Sequence, residues 1–338
     1  MSQAVILDQF GNPADVLKCG SREDREPGPG EVSVRMLASP VNPSDLLVVR
    51  GQYGVLPELP AVPGLEGVGV VETTGGGLRG WYMRGRRVAV INPRGGAWAE
   101  RQVVSANQVI PLSSKLSLEQ AATFFVNPAT ACILVRHVLQ IPKQAWLIQT
   151  AAASTLGRMI IRLGRHWGFK TLNIVRRHEQ VAELQALGAD VVLVQPRGEG
   201  SEAAPKLFSD LVQACRQQTG GALYALDAVG GPLGSALVQC LRPGGRLVVY
   251  GTLSNLPLSI PPRDLMMSGG RVEGFWLGQW MGQQSLWFKL RLVRQLTRLI
   301  LNGTLGVEAF QHYSLAEVRA AVAAAEEPGR VGKILFRI

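Results

Sequence analysis

Ala145-Trp146-Leu147-Ile148-Gln149-Thr150-Ala151-Ala152-Ala153-Ser154-Thr155-Leu156-Gly157 decides the fold of this chain. Its opening is a short apolar run of the kind that forms a strand buried on both faces. Small residues follow, and from Ser154 to Trp167 the spacing is helical. A serine heading such a stretch is a helix N-cap. Working outward, residues 170–175 read as a strand, 178–187 as a helix stopped by Gly188-Ala189-Asp190, and 191–194 as the next strand. After a further helix come strands at 225–229 and 246–250. This succession of βαβ units predicts a parallel, doubly wound sheet.

Upstream the rhythm is different. Residues 31–38 alternate weakly, 67–72 form a glycine-punctuated strand and 86–91 another. Glu26-Pro27-Gly28-Pro29-Gly30, Asn42-Pro43 and Gly75-Gly76-Gly77 separate them as turns. A small, largely β domain is expected there. Ser117-Leu118-Glu119-Gln120 opens a helix, and a second helical stretch covers 129–140. A long helix over 285–302 ends at Gly303, and 332–336 is a last strand. That strand implies a return to the first domain, with the α/β domain inserted. The expected division is 1–118 plus 303–338 for a substrate domain and 119–302 for a cofactor domain.

Composition agrees with two globular domains: 338 residues, 46% hydrophobic and 18% charged. No apolar run reaches the roughly 18 residues that cross a bilayer. The opening Met1-Ser2-Gln3-Ala4-Val5-Ile6-Leu7-Asp8 has neither a basic, apolar leader nor an Arg-rich amphipathic one, so a cytoplasmic protein without a membrane partner is expected. Cys19, Cys132, Cys215 and Cys240 share no metal or redox spacing and read as reduced, mostly buried thiols. His137, His166, His178 and His312 are equally scattered, and no metal site is expected. The charge of +10 suits anionic ligands or nucleic acid, or is merely solvated arginine. No basic run with interleaved aromatics supports nucleic acid.

The turn after the first α/β strand has a phosphate-binding form, because small side chains let backbone approach a pyrophosphate at a helix N-terminus. Only Gly157 of a Gly-x-Gly-x-x-Gly fingerprint is present, and ordinary helix–sheet packing is the competing reading. At the end of the second strand stand Val175-Arg176-Arg177-His178, with no acid before Glu179. Paired arginines suit a ribose 2′-phosphate, so NADPH is favoured over NADH; a solvated strand end is the alternative.

The whole pattern resembles the zinc-free medium-chain dehydrogenase/reductase superfamily. It is similar in particular to the 2-enoyl thioester reductases related to mitochondrial enoyl-CoA/enoyl-ACP reductase, with the zinc-free quinone oxidoreductases next to them. The likeness is carried by Val41-Asn42-Pro43-Ser44-Asp45, by Arg50-Gly51-Gln52-Tyr53-Gly54 running on to Pro60, and by Ala61-Val62-Pro63-Gly64-Leu65-Glu66-Gly67-Val68-Gly69. Val126-Asn127-Pro128-Ala129-Thr130-Ala131 and Gly274-Phe275-Trp276-Leu277-Gly278-Gln279-Trp280 complete it. Zinc-dependent relatives carry a Cys near Asn42–Asp45, a His in place of Leu65 and a four-cysteine lobe, which this sequence lacks. The phosphate turn departs from the enoyl reductases, with Thr155 where they have Gly and Ala153 where they have Asn; Arg177 replaces an acidic residue.

The resemblance implies an α/β fold: a GroES-like, mostly β substrate domain and a Rossmann cofactor domain. It implies an NADPH-dependent reduction of the carbon–carbon double bond of an α,β-unsaturated thioester or carbonyl, acting on an acyl thioester, enone or quinone. An acyl carrier protein is open as a partner. Tyr53 would donate a hydrogen bond or proton, as a phenol with a reference pKa of about 10 can do without a metal; packing on Pro57 or Pro60 is its competing role. Asn42 would orient nicotinamide or substrate, and Thr130 would contact the nicotinamide; a turn role competes for both. Trp276 would wall the acyl or nicotinamide site, with core packing as the alternative. Ser154, Thr155, Leu156, Gly157, Arg176, Arg177, His178, Val229, Tyr250, Gly251, Phe275 and Lys333 complete the expected cofactor set, although Lys333 also reads as a surface lysine. A homodimer is expected through residues 271–277. The alternatives are an NADPH quinone or enone oxidoreductase, and an NADPH-linked single-stranded nucleic-acid-binding protein.

Overall fold

The computed structural model describes residues 1–196 and 208–338. The chain forms two compact units, Met1–Asn127 with Leu292–Ile338, and Pro128–Arg291 inserted between them in sequence. Both boundaries differ from the expected ones. The helix Leu118–Ala122 packs on strands Glu31–Pro40, Glu66–Thr74 and Arg87–Ile91, which carries the first unit on to Asn127. In the helix Leu286–Leu301 the buried positions are Leu292, Leu296, Leu299 and Ile300, so the first unit resumes inside that helix and not at its end.

The first unit holds a seven-stranded sheet and a two-stranded one, Ser2–Leu7 with Leu17–Arg22. Phe310–Tyr313, Lys333–Arg337, Glu31–Pro40, Glu66–Thr74, Arg87–Ile91 and Val109–Pro111 lie in that order, and Arg101–Ser105 pairs with Glu31–Pro40. The final strand does return, with Phe336 opposite Ser39 in antiparallel register. Val32, Val34, Met36, Val71, Val88, Val90, Val104 and Val109 share one core. In a second core, Trp98 meets Phe336 edge-on at 5.1 Å between ring centroids. Its indole N–H, which burial would otherwise strand, donates to the Pro40 carbonyl at 3.1 Å.

The second unit is a six-stranded parallel sheet. Its order is Val191–Val194, Lys170–Val175, Trp146–Gln149, Ala222–Asp227, Leu241–Val249 and Arg271–Gly274. The chain builds outward on one side of Trp146–Gln149, then crosses to Ala222–Asp227 on the other. At such a switch point adjacent loops diverge beyond the carboxyl ends of the strands and leave a crevice. The helix Thr155–Trp167 starts at its Ser154 cap as expected and buries Leu156, Met159, Ile160 and Leu163, the stripe that a helix lays on a sheet. Cys132, Cys215 and Cys240 are buried free thiols, and Cys19 is half-buried. Among the described residues no helix is long and apolar enough to cross a membrane.

Candidate active site

Each unit carries its own constellation. In the second, the strand Trp146–Gln149 ends in a turn whose Ala151 holds a left-handed φ of 47°. That conformation costs an L-residue roughly 1–2 kcal/mol. The turn is secured by the Ala152 N–H donating to the Ile174 carbonyl at 3.2 Å and the Ser154 N–H donating to Ala151 at 2.9 Å. Ser154 Oγ accepts from the Gly157 N–H at 3.1 Å. The Thr155 and Leu156 N–H groups have no acceptor among the described residues. With the positive end of a 13-residue helix behind them, they are donors suited to an anion.

Gly157 is required here by space. A Cβ on it would lie 2.5 Å from the Ala152 carbonyl oxygen and 2.7 Å from Ala152 Cα, all backbone that cannot swing aside. Gly157→Ala therefore pushes the helix off the turn. Its expected cost is about 1–3 kcal/mol of stability, read by denaturant melts, together with weaker NADPH binding by fluorescence titration. An Ala variant as stable as the wild type would show that the turn is looser than this packing requires.

Three residues that the sequence reading missed hold this end of the sheet. Asp227, fully buried, accepts from Thr150 Oγ1 at 2.6 Å and from the Val229 and Gly230 N–H groups, each at 2.9 Å. Thr150 Oγ1 in turn accepts from the Ala228 N–H at 3.0 Å. One carboxylate thus ties together the ends of two neighbouring strands. The signal was present as an acid ending the apolar run Ala225-Leu226-Asp227, just before Gly230-Gly231. Arg158 is 4% exposed; its Nε donates to the Ala153 carbonyl at 2.9 Å and its guanidinium pairs with Glu183 at 2.7 Å.

The expected cofactor residues of this unit fall at the strand ends. Arg176 is exposed, Arg177 is half-buried, and His178 is the exposed cap residue of helix Glu179–Leu187. The Arg177 N–H donates to Gln180 Oε1 at 3.3 Å. Val229 is buried, and its carbonyl accepts from Ser254 Oγ at 2.7 Å. The Tyr250 N–H donates to the Asp227 carbonyl at 2.8 Å, while its buried hydroxyl has no partner among the described residues. Burial, then the nearby Asp227, pushes that phenol well above its ordinary range. A Cβ on Gly251 would lie 2.7 Å from the Ala228 carbonyl, so backbone runs close to backbone there too. Thr130 is buried in the helix Val126–Ile133. The Phe275 N–H continues the sheet to the Val249 carbonyl at 2.8 Å. Trp276 is 37% exposed, which removes core packing as its role.

The first unit holds a buried charged cluster. Asn42, Asp45, Glu66 and Lys333 are all at most 3% exposed. The sequence reading of Lys333 as a surface residue is thus corrected: the strand Lys333–Arg337 runs inside the sheet, and its first side chain points inward. Asn42 bridges the charges. Its Nδ2 donates to Glu66 Oε1 at 2.9 Å and its Oδ1 accepts from Lys333 Nζ. The reverse amide orientation would set NH2 against an ammonium and oxygen against a carboxylate. Asp45 caps its own helix, Pro43–Val49, accepting from the Asn42 N–H at 2.7 Å, and also accepts from the Leu65 N–H at 2.8 Å. Glu66 Oε2 accepts from Val126 N–H at 2.9 Å.

Burial dominates the titration of this cluster. It pushes the Asp45 carboxyl up to about 7 against the pull of its two N–H donors. It raises Glu66 despite the Lys333 ammonium, and it lowers Lys333 to about 8 despite both carboxylates. Tyr53 sits half-buried in the irregular segment between Val49 and Glu66. Among the described residues no three His, Cys, Asp or Glu side chains converge as metal ligands.

A mixed, mostly antiparallel β unit interrupted by a parallel-sheet unit with a phosphate-type turn defines the medium-chain dehydrogenase/reductase class. The family described as alcohol dehydrogenase GroES-like domain matches residues 28–114, and that described as zinc-binding dehydrogenase matches residues 155–292. The mitochondrial enoyl-[acyl-carrier-protein] reductase of Bos taurus is 32% identical over 330 residues, 96% of this chain and 86% of the relative. That of Caenorhabditis elegans is 31% identical, covering 100% of this chain and 96% of the relative. The chain belongs to this family of medium-chain enoyl reductases. Among solved structures, a putative NADPH:quinone reductase from Bacillus thuringiensis superposes with a TM-score of 0.88 at 29% identity, covering 100% of this chain and 99% of that one. A complex of Etr1p with NADP and crotonyl-CoA gives 0.81 at 26%, with the same coverage.

Proposed function

We propose that the chain is an NADPH-dependent reductase of the carbon–carbon double bond in 2-enoyl thioesters. The observation that carries this reading is the match to enoyl-[acyl-carrier-protein] reductases over 96% of the chain, and the resemblance of the Tyr53 segment supports it. The second unit fits a phosphorylated dinucleotide: unpaired N–H donors at a helix start, a turn that a Cβ on Gly157 would block, and two arginines at the next strand end. NADPH, when bound, supplies the hydride. Ser154, Thr155, Leu156 and Gly157 would hold its pyrophosphate, and Arg176 with Arg177 its 2′-phosphate. Tyr53 donates its phenolic hydrogen toward the thioester carbonyl oxygen, where negative charge gathers during reduction. Asn42 acts through position: both ends of its amide are engaged by Glu66 and Lys333, so it fixes the start of helix Pro43–Val49 and the chain leading to Tyr53.

NADPH oxidation measured against crotonyl-CoA, longer enoyl-CoAs, a simple enone and a benzoquinone tests the acceptor class. Enoyl thioesters are expected to give the highest kcat/KM; a quinone exceeding them would move the chain to the quinone reductases, whose solved structures it also resembles. Arg176→Ser with Arg177→Ser is expected to weaken NADPH about tenfold to a hundredfold, the worth of one charge-assisted contact, while NADH binding barely changes. Equal losses for both coenzymes would place the 2′-phosphate elsewhere. An acyl carrier protein is the proposed carrier of longer substrates. The strand Arg271–Gly274 is an edge of its sheet, and we place a homodimer contact there by strand addition.

A further inference from the structure

The helix Leu78–Met83 turns its apolar side chains the wrong way for a core. Gly80 and Met83 face inward and are buried, so the helix is firmly seated. Leu78, Trp81 and Tyr82, at spacing i, i+3 and i+4, form its outer face and are 91%, 73% and 50% exposed. Single exposed apolar residues are ordinary, but a fixed cluster with a tryptophan at its centre marks a contact surface. The stretch of chain that carries it is one-sided in charge. Residues 73–99 contain five arginines and no carboxylate. Arg84 is exposed and makes no ion pair among the described residues. The Arg86 guanidinium lies 4.0 Å over the Tyr82 ring and donates to the Tyr82 carbonyl at 2.7 Å, which holds a cation at the rim of the apolar face. A hollow of about 380 Å³ that Arg86 and Arg87 share with Pro111, Leu112 and Ser114 opens beside it.

We infer that Leu78, Trp81 and Tyr82, flanked by Arg84 and Arg86, form a docking surface for an anionic lipid bilayer. Trp and Tyr prefer the headgroup level, Leu reaches the acyl boundary, and arginines pair with lipid phosphates. A second copy meeting this face with its own is a poor occupant, because it would set the same arginines against each other. An acidic protein would have to supply a pocket for side chains that stand clear of the surface, whereas a bilayer yields to them. The contact is peripheral and needs no spanning helix.

Flotation of the full chain with vesicles tests this. With phosphatidylcholine and phosphatidylglycerol mixed, the chain is expected to float, and added salt releases it; with phosphatidylcholine alone it stays behind. Arg84→Gln is expected to weaken binding about fivefold, the effect of one basic residue at an anionic surface. Trp81→Ser is expected to weaken it about tenfold or more, and both variants should keep wild-type melting and solution turnover. No flotation, equal flotation with neutral vesicles, or flotation indifferent to both substitutions would overturn the assignment. Wild-type self-association that Trp81→Ser abolishes would give the face to a second copy and overturn it as well.

Discussion

Lys333→Met is expected to destabilise the chain by about 3–5 kcal/mol, as removal of one partner from a buried ionic cluster does. Lys333 is 3% exposed and is the cation that Asn42 links to Glu66, with Asp45 contributing further attraction. Methionine fills the stem but leaves two carboxylates buried without a counter-charge. Equilibrium denaturation measures the loss. Glu66→Gln added to Lys333→Met should recover part of it, because the amide can still accept from the Val126 N–H without carrying charge. A double variant no more stable than the single one would mean that the cluster acts through packing and not through charge.

The same variant has a pH signature. The Asp45 carboxyl, ordinarily near 3.8, rises to about 7 in the fold, so between those values the native state holds a proton that the unfolded chain has lost. Its contribution to stability therefore falls as pH rises through that window. Glu66 is raised and acts in the same sense. Lys333, lowered from 10.5 to about 8, has lost its proton in the fold while the unfolded chain still holds one, so its contribution grows as pH rises between those values. In Lys333→Met the Asp45 and Glu66 carboxyls lose the cation that favours their ionised form, so the fold holds their protons to still higher pH. The gap between wild type and variant should widen from mildly acid pH toward neutrality, and a gap independent of pH would contradict the assignment of charge.

The α/β unit was legible because its strands are apolar runs closed by caps and glycines. Residues 170–175 and 191–194 are strands as read, and Ser154 and Gly188 bound helices where expected. The β unit was legible only in part. Ser2–Leu7 pairs with Leu17–Arg22, but neither segment alternates clearly, because Val5, Leu7 and Leu17 are buried in a core completed by residues far along the chain, among them Trp98 and Phe336. The strand Phe310–Tyr313 exists only because Lys333–Arg337 pairs with it. The buried cluster escaped for a related reason. Asn42 and Lys333 are 291 positions apart, and no local pattern tells a lysine that faces into a sheet from one that faces water. Asp227 was different: an acid at the end of a buried strand is a local signal, and its cap of Thr150 and two N–H groups follows from it.

Tyr53→Phe is expected to lower kcat on crotonyl-CoA about a hundredfold with little change in KM, the pattern of a proton or hydrogen bond delivered mainly in the transition state. The substitution removes one oxygen and keeps the ring, so contacts with Pro57 or Pro60, if they are what the ring is for, survive it. NADPH titration and thermal melting should match the wild type, because the dinucleotide-binding residues proposed here for its phosphates belong to the other unit. The half-buried setting of Tyr53 suits the role, since a hydrogen bond aimed at a gathering negative charge is worth more where water is partly excluded. Steady-state rates with the thioester varied at saturating NADPH make the measurement. A kcat within about threefold of wild type, well short of the effect of a general acid, would return Tyr53 to loop packing. The charge that develops on the acyl oxygen would then need another donor.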